Sequence, residues 1–217
     1  MRWWDAQVVP RATCALLSGD GIGRWRAKAC SGAFGNVLEF GFGGGHNLPY
    51  YGPAVTSVQA VEPSDLAWQH AGQRIRAFGA PVIRVGLDGS SVPVPDDSVD
   101  VVVSTWTMCT IPDLPAALAE ARRVLRPGGR LSFVEHSVTP HPGVARTQRL
   151  IQPVWGRLAG GCHVDRDIVA YVAEAGFDIG PVSARYAGPT HGIGRLAAPW
   201  SWFVSGAVTE AGAVHAG

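Results

Sequence analysis

Lysine is almost missing from the chain: Lys28 is the single one among 18 basic residues, a skew of codon usage more than of chemistry. With 18 Lys and Arg against 17 Asp and Glu, the formal charge is only +1. That balance creates no basic field to gather phosphates, so a nucleic-acid partner is not expected. Cysteine is sparse as well. Cys14, Cys30, Cys109 and Cys162 form no C-x-x-C pair and meet no histidine at zinc spacing, which points to free thiols, no metal and a reducing cytoplasm. No stretch comes near the ~18 uncharged apolar residues that a membrane span needs. Arg2 and Asp5 precede no apolar signal core, so the expectation is a cytoplasmic protein without stable membrane insertion. Internal repeats and long low-complexity tracts are missing too, which excludes solenoids and extended linkers.

What is present is a globular composition. The 217 residues are 47% hydrophobic and 16% charged, enough to bury one sizeable core. Gly and Pro punctuate an alternation of β-like and α-like pieces, the pattern of a parallel sheet. Val37 to Phe40, Val55 to Val61 and the nearly continuous valines of Val99 to Ser104 read as strands buried on both faces. Leu114, Leu118, Ala121 and Leu125 recur at helical spacing between Asp113, a candidate N-cap, and Arg126, with Pro115 in the first turn. Pro127-Gly128-Gly129 should stop that helix. Leu131 to Val134 resumes a strand, Arg166 to Ala175 is a helix closed by Gly176, and Trp200 to Val208 is a final strand. The expected fold is α/β, a Rossmann-like three-layer sandwich whose mostly parallel sheet has seven strands, the last antiparallel. Residues 1–34, with Trp3, Trp4, Leu16, Leu17 and Trp25, should form an N-terminal helical cover, with a membrane-surface helix as the alternative. Residues 35–210 then form the main domain, and 211–217 a flexible tail.

The strongest local signal is Glu39-Phe40-Gly41-Phe42-Gly43-Gly44-Gly45, an acid and alternate glycines where a strand turns into the next segment. Glycine there permits positive φ and close approach of backbone to a ligand, while the amides that follow supply donors. A dinucleotide fingerprint would need a glycine where His46 stands, which weakens a nicotinamide reading. About twenty residues on, Glu62 ends a β-branched run, where an acid accepts hydrogen bonds from ribose hydroxyls. Asp88, beside Gly89, is placed to accept from an adenine amine, with a neighbouring amide reading the ring.

In this order the segments resemble the class I S-adenosylmethionine-dependent methyltransferases, of the methyltransferase type 11 kind. The resemblance rests on LEFGFGGG (Leu38 to Gly45), AVEPS (Ala60 to Ser64), PDDSVDVVVS (Pro95 to Ser104) and RVLRPGGRL (Arg123 to Leu131). It implies S-adenosylmethionine as cofactor, held by Glu39, Gly41, Gly43, Gly45, Asn47, Glu62, Pro63, Asp88, Gly89 and Thr105. GGGHNLPYY (Gly43 to Tyr51), Cys109, Glu135-His136 and GCHVDR (Gly161 to Arg166) further resemble the methyltransferase-like-seven group, which contains alkyl-thiol S-methyltransferases. Quinone-biosynthesis C-methyltransferases share the PDDSVD and RVLRPGG elements equally. Phe42 and Gly44 depart from the family, which usually has small or polar residues at the first position and a small hydroxyl residue at the second.

The acceptor should face residues just beyond the later strands, Thr105 to Thr110 and Glu135 to Ser137. Methyl transfer is an in-line displacement at an already activated carbon, so alignment is most of the task. A thiol or hydroxyl acceptor must also lose a proton, and His136 beside Glu135 is the candidate base, with a structural histidine as the alternative. Trp106, Cys109, His163 and His191 are the candidate acceptor pocket, and His46 is a weaker candidate for chemistry. Trp155, Trp200 and Trp202 could add aromatic walls. Cys109 and Cys162 read as packing cysteines. The expected reaction is methylation of a small apolar acceptor, a thiol first, a quinol carbon or phenol next; a cofactor-binding protein without turnover is the non-enzymatic reading.

Overall fold

A computed structural model describes residues 4–17, 19–188 and 196–211. Trp3, His191 and the tail residues 212–217 lie outside the described residues. After one wide turn at Trp4–Val8 come two helices, α1 (Val9–Leu16) and α2 (Asp20–Cys30). The parallel strands follow as β1 (Gly35–Phe40), β2 (Val55–Val61), β3 (Val82–Gly86), β4 (Val99–Thr105) and β5 (Leu125–His136). Helix α3 (Asp65–Ala77) connects β2 to β3, and α4 (Leu114–Val124) connects β4 to β5. Then come α5 (Pro142–Leu158), α6 (Ile168–Glu174), β6 (Phe177–Asp178), β7 (Ser183–Tyr186), the single turn α7 (Ala198–Ser201) and β8 (Trp202–Glu210).

The sheet has the order β3-β2-β1-β4-β5-β8-β6, and β7 pairs with β8 as an eighth strand. Strands β1 to β5 are parallel, whereas β8 runs antiparallel to β5 with Arg130 opposite Thr209 and His136 opposite Phe203. The expected seven strands are therefore eight. Two residues of β6 and four of β7 dress the edges of β8, and segments so short carry no alternation to read.

Both faces of the sheet are covered, as the valine runs require. Val102, Leu38, Phe40, Leu131 and Phe133 pack with Leu114, Leu118 and Ile168 on one face, while Val37, Val58, Val101 and Val103 pack with Ala71 on the other. Helix α4 starts where expected: the Asp113 carboxylate accepts from the Ala116 amide at 3.1 Å. It ends earlier than expected, because Leu125 already extends into β5 and Pro127 to Gly129 ride inside the beginning of that strand. Helix α6 likewise begins at Ile168 with Asp167 as its cap, leaving Arg166 free to donate to the Met108 and Ile111 carbonyls at 2.7 and 2.8 Å. The final strand is displaced to Trp202–Glu210, behind the turn of α7. Among the described residues no helix is long and apolar enough to cross a membrane.

Candidate active site

The strand order reverses between β1 and β4, and in an open α/β sheet the crevice beyond the carboxyl ends at that reversal is where ligands bind. A cavity of about 700 Å³ opens there. One side is built from the turns after β1, β2 and β3. Gly41 has φ +65°, and a Cβ on it would stand 2.1 Å from the Thr107 hydroxyl, so only glycine fits. Gly43 has φ +56° for a different reason: a Cβ there would meet nothing nearer than 3.9 Å and would project into the cavity itself.

Glu62 follows β2 and clamps this loop. One carboxylate oxygen accepts from the Gly43 amide at 2.6 Å and the other from the Ser64 amide at 2.7 Å. Burial raises its pKa, against the lowering by those amides and by Arg84. Asp88 lies exposed at the rim, held by the Ser90 amide and hydroxyl at 2.9 and 2.8 Å, and these bonds lower its pKa.

Behind the glycine turn is a buried polar network. The Glu39 carboxylate accepts from Asn47 at 2.9 Å and from the Tyr51 hydroxyl at 2.6 Å. The Arg26 guanidinium donates to Asn47 Oδ1 at 2.8 Å and to Thr105 Oγ1 at 2.9 Å. Burial pushes the Glu39 carboxyl up to about 7, although Tyr51, Arg26 and Asn47 all favour the charged form. Arg26 comes from α2, a segment without any motif, and sequence reasoning missed it; only the neighbouring Trp25 marks that helix as buried.

The other side of the cavity comes from three distant stretches: Val9, Pro10, Thr13 and Cys14 of α1, Trp106, Thr107 and Thr110 to Pro112 after β4, and the end of α5 with the turn around Gly160. Apart from the Arg157 guanidinium, this side presents apolar or uncharged groups. Trp106 holds a left-handed backbone at φ +52°, a strained conformation for a bulky residue. It is kept by its amide bond to the Val134 carbonyl, by the Arg26 guanidinium over its ring, and by Phe203 against its edge.

Of the residues predicted from sequence, Gly41, Gly43, Glu62, Pro63, Asp88, Gly89, Thr105 and Trp106 line the cavity. Glu39, Gly45 and Asn47 stand behind it. Glu135 and His136 do not line it. The Glu135 carboxylate is wholly buried and accepts from the Ser104 hydroxyl and the amides of Thr107, Met108 and Cys109, so it anchors the loop after β4. The His136 ring packs on Phe203, and its Nδ1 lies 3.8 Å from Cys109 Sγ and 3.9 Å from Cys162 Sγ. Cys109 is behind the wall with it, and half-exposed His163 faces Asp165 at 3.7 Å. Trp155 and Trp200 pack on Cys109 and Cys162, and Trp202 on Tyr186, so of the four tryptophans weighed as walls only Trp106 is one. The sulfur–sulfur contact and burial push the Cys109 thiol up, whereas the same contact, ahead of the His136 ring, draws Cys162 down.

Residues 38–133 match a family model described as a methyltransferase domain. Over those residues the chain is a methyltransferase domain. Its fold is shared by a solved SAM-dependent methyltransferase of Aquifex aeolicus, with a TM-score of 0.61, 17% identity, and 92% of this chain and 97% of that one covered. In sequence the domain is 34% identical over 148 residues to the thiol S-methyltransferase TMT1B of Homo sapiens, covering 64% of this chain and 59% of that protein. It is 32% identical over 134 residues to the ubiquinone/menaquinone biosynthesis C-methyltransferase UbiE of Dinoroseobacter shibae, covering 52% and 51%. The chain thus spans between about half and three fifths of the length of these curated relatives.

Proposed function

We propose that the protein transfers the methyl group of S-adenosylmethionine to a small apolar thiol. The observation that carries this reading is a two-sided cavity, with a glycine and carboxylate cradle on one side and a largely apolar wall on the other. Three buried polar atoms on its lining residues have no hydrogen-bond partner among the described residues: Arg26 Nε, His46 Nε2 and Trp106 Nε1. Such groups are costly to bury unpaired, and the loop itself is open to a ligand at Gly43, where a Cβ would meet nothing nearer than 3.9 Å. The residues therefore fit the cofactor, which when bound supplies a methyl group already activated by its sulfonium. Glu62 would accept from ribose hydroxyls on its remaining lone pairs, Gly43 would leave room for the chain of the ligand, and Asp88 with the Gly89 amide would address the base. His46 stays neutral near pH 7, because burial, Arg74 and Arg26 press its pKa down to about 4.

A thiol suits the opposite wall because it needs little help to ionise: an ordinary alkyl thiol has a pKa near ~8.5, and the thiolate is the nucleophile. Trp106, Ile111 and Pro112 would hold its apolar body and exclude water, so alignment supplies the rate. No base at the acceptor is then required, which agrees with His136 and Glu135 lying off the cavity. The likeness to a thiol S-methyltransferase supports this acceptor, and the likeness to UbiE makes a quinol carbon the second reading.

The test is formation of S-adenosylhomocysteine from alkyl and aryl thiols, phenols and quinols, side by side. Thiols should react fastest, with a rate that rises with pH as the free thiol ionises. Turnover of quinols with thiols inert would replace the acceptor assignment, and failure to bind S-adenosylmethionine by calorimetry would remove the whole reading.

A further inference from the structure

Behind the apolar wall, outside the cavity, three ligand-type side chains from three separate elements converge. Cys109 comes from the loop after β4, His136 from the end of β5, and Cys162 from the turn after α5. Their ligand atoms, two sulfurs and His136 Nδ1, stand 3.7 Å (sulfur to sulfur), 3.8 Å and 3.9 Å apart. Zinc bonds of about 2.3 Å to sulfur and about 2.0–2.1 Å to nitrogen, at tetrahedral angles, place sulfurs about 3.8 Å apart and sulfur and nitrogen about 3.6 Å apart. The three edges of the cluster match one face of that tetrahedron.

The ligands are also held in place by the chain rather than by each other. The Cys109 amide donates to Glu135 at 3.2 Å and its carbonyl accepts from the His163 amide at 2.8 Å. The Cys162 carbonyl accepts from the buried Gln152 side chain at 3.1 Å, and its amide donates to the Ala159 carbonyl at 3.1 Å. His136 is fixed by its pairing with Phe203 in β8. Packed against the two cysteines are Trp155 and Trp200, whose buried indole N–H groups make no regular hydrogen bond among the described residues, the Trp155 N–H lying near enough to Cys162 to favour its thiolate. Donors beside sulfur suit a site in which the thiols become thiolates.

We infer that Cys109, His136 and Cys162 form a zinc(II) site, with the fourth position left to water. Binding would release the two thiol protons, give a neutral unit of one dication and two thiolates, and take a lone pair from neutral imidazole. The ion would tie the loop Trp106–Pro112 to the turn after α5, two segments that both line the cavity, and so brace the acceptor wall without touching the acceptor. The inference does not rest on the methyl acceptor assigned above.

The experiment begins with the full chain reduced, freed of metal with a chelator, mixed with zinc chloride and desalted. Elemental analysis should then find one zinc per chain, and the melting temperature should rise on loading. Cobalt(II) in place of zinc should give thiolate-to-metal absorption and the visible bands of a tetrahedral ion, a readout on the unaltered protein. Cys162→Ser and the pair Cys109→Ser with Cys162→Ser should lose both metal and the thermal shift. Zinc washed off the native chain, a cobalt spectrum without thiolate bands, or equal retention by the double variant would overturn the site. So would closure of a disulfide between residues 109 and 162 in air by a reduced chain that retains no zinc.

Discussion

The two sides of the cavity are made in opposite ways. The cradle side is short-range: Gly41 to Gly44, Glu62 to Ser64 and Asp88 to Gly89 each follow directly on a strand, and the strand delivers them to the crevice. The wall side is long-range, assembled from α1, the loop after β4 and the turn after α5, with Trp106 92 positions after Cys14 and Ala159 47 positions after Pro112. Turn chemistry dictates the first and packing dictates the second. Within the cradle a finer division separates positions where a substitution damages the fold from positions where it damages binding.

Gly41 and Gly43 give the widest test, since both are left-handed and only two residues apart. Gly41→Val adds atoms where even a Cβ meets Thr107 at 2.1 Å, and should cost roughly 3–5 kcal/mol of stability, seen as a large fall in melting temperature. Gly43→Val meets no clash but still carries the left-handed strain of a β-branched residue, about 1–3 kcal/mol, so it should lose less stability than Gly41→Val yet lose S-adenosylmethionine affinity more than ~100-fold, at roughly 1.4 kcal/mol per tenfold. Equal melting temperatures for the two variants would erase the distinction between them.

Glu62→Ala comes next. It removes a charged acceptor from both the loop amides and the ribose, and should weaken cofactor binding by about 1–3 kcal/mol in calorimetry. Unchanged affinity in a folded variant would make Glu62 a loop clamp alone.

Smaller effects should appear in the pH dependence of stability. Glu39 has a folded pKa raised by burial to about 7, so its contribution is full below the unfolded value near 4.5 and is lost as pH rises through 7. His46 is opposite: lowered to about 4, it favours the fold above about 6.5, and that contribution is lost as pH falls towards 4. The two windows overlap with opposite slopes: Glu39→Gln should remove a fall in stability as pH rises from 4.5 to about 7, and His46→Asn a rise in stability from about 4 to 6.5. Slopes identical to those of the parent would remove these groups as the cause. Smallest of all, Asp88→Ala at the exposed rim should leave stability within about 0.5 kcal/mol and show itself only in affinity for the adenine end.

Legibility in the sequence followed the same line. Val37 to Phe40, Val55 to Val61 and the Asp113 cap are readable because periodicity and capping are local, and seven of the ten residues expected to hold the cofactor line the cavity because they sit in turns at strand ends. Arg26 is not, because an arginine in a helix that also carries Arg24 and Lys28 looks solvated until α2 is laid across Thr105 and Asn47. Glu135 and His136 read as a catalytic pair because they end a strand, but the loop amides claim the one and the sulfurs surround the other. Cys109 and Cys162 read as unconnected because 53 positions separate them, and only the return of the chain after α5 brings them within 3.7 Å.

Arg26 carries one more implication, for modularity. The helix that supplies it looks like a detachable lid, yet its guanidinium reaches the floor of the crevice and is the cation nearest the most deeply buried acid there. A chain trimmed to begin at Gly35 would not be an open version of the same domain. It would hold Glu39 without its countercharge, and Thr105 and Asn47 without their donor. Transplanting only the strand-and-glycine framework into another protein would meet the same obstacle. The portable unit of this architecture includes the first helices, and a circular permutant should keep α2 joined to β1 while opening the chain elsewhere.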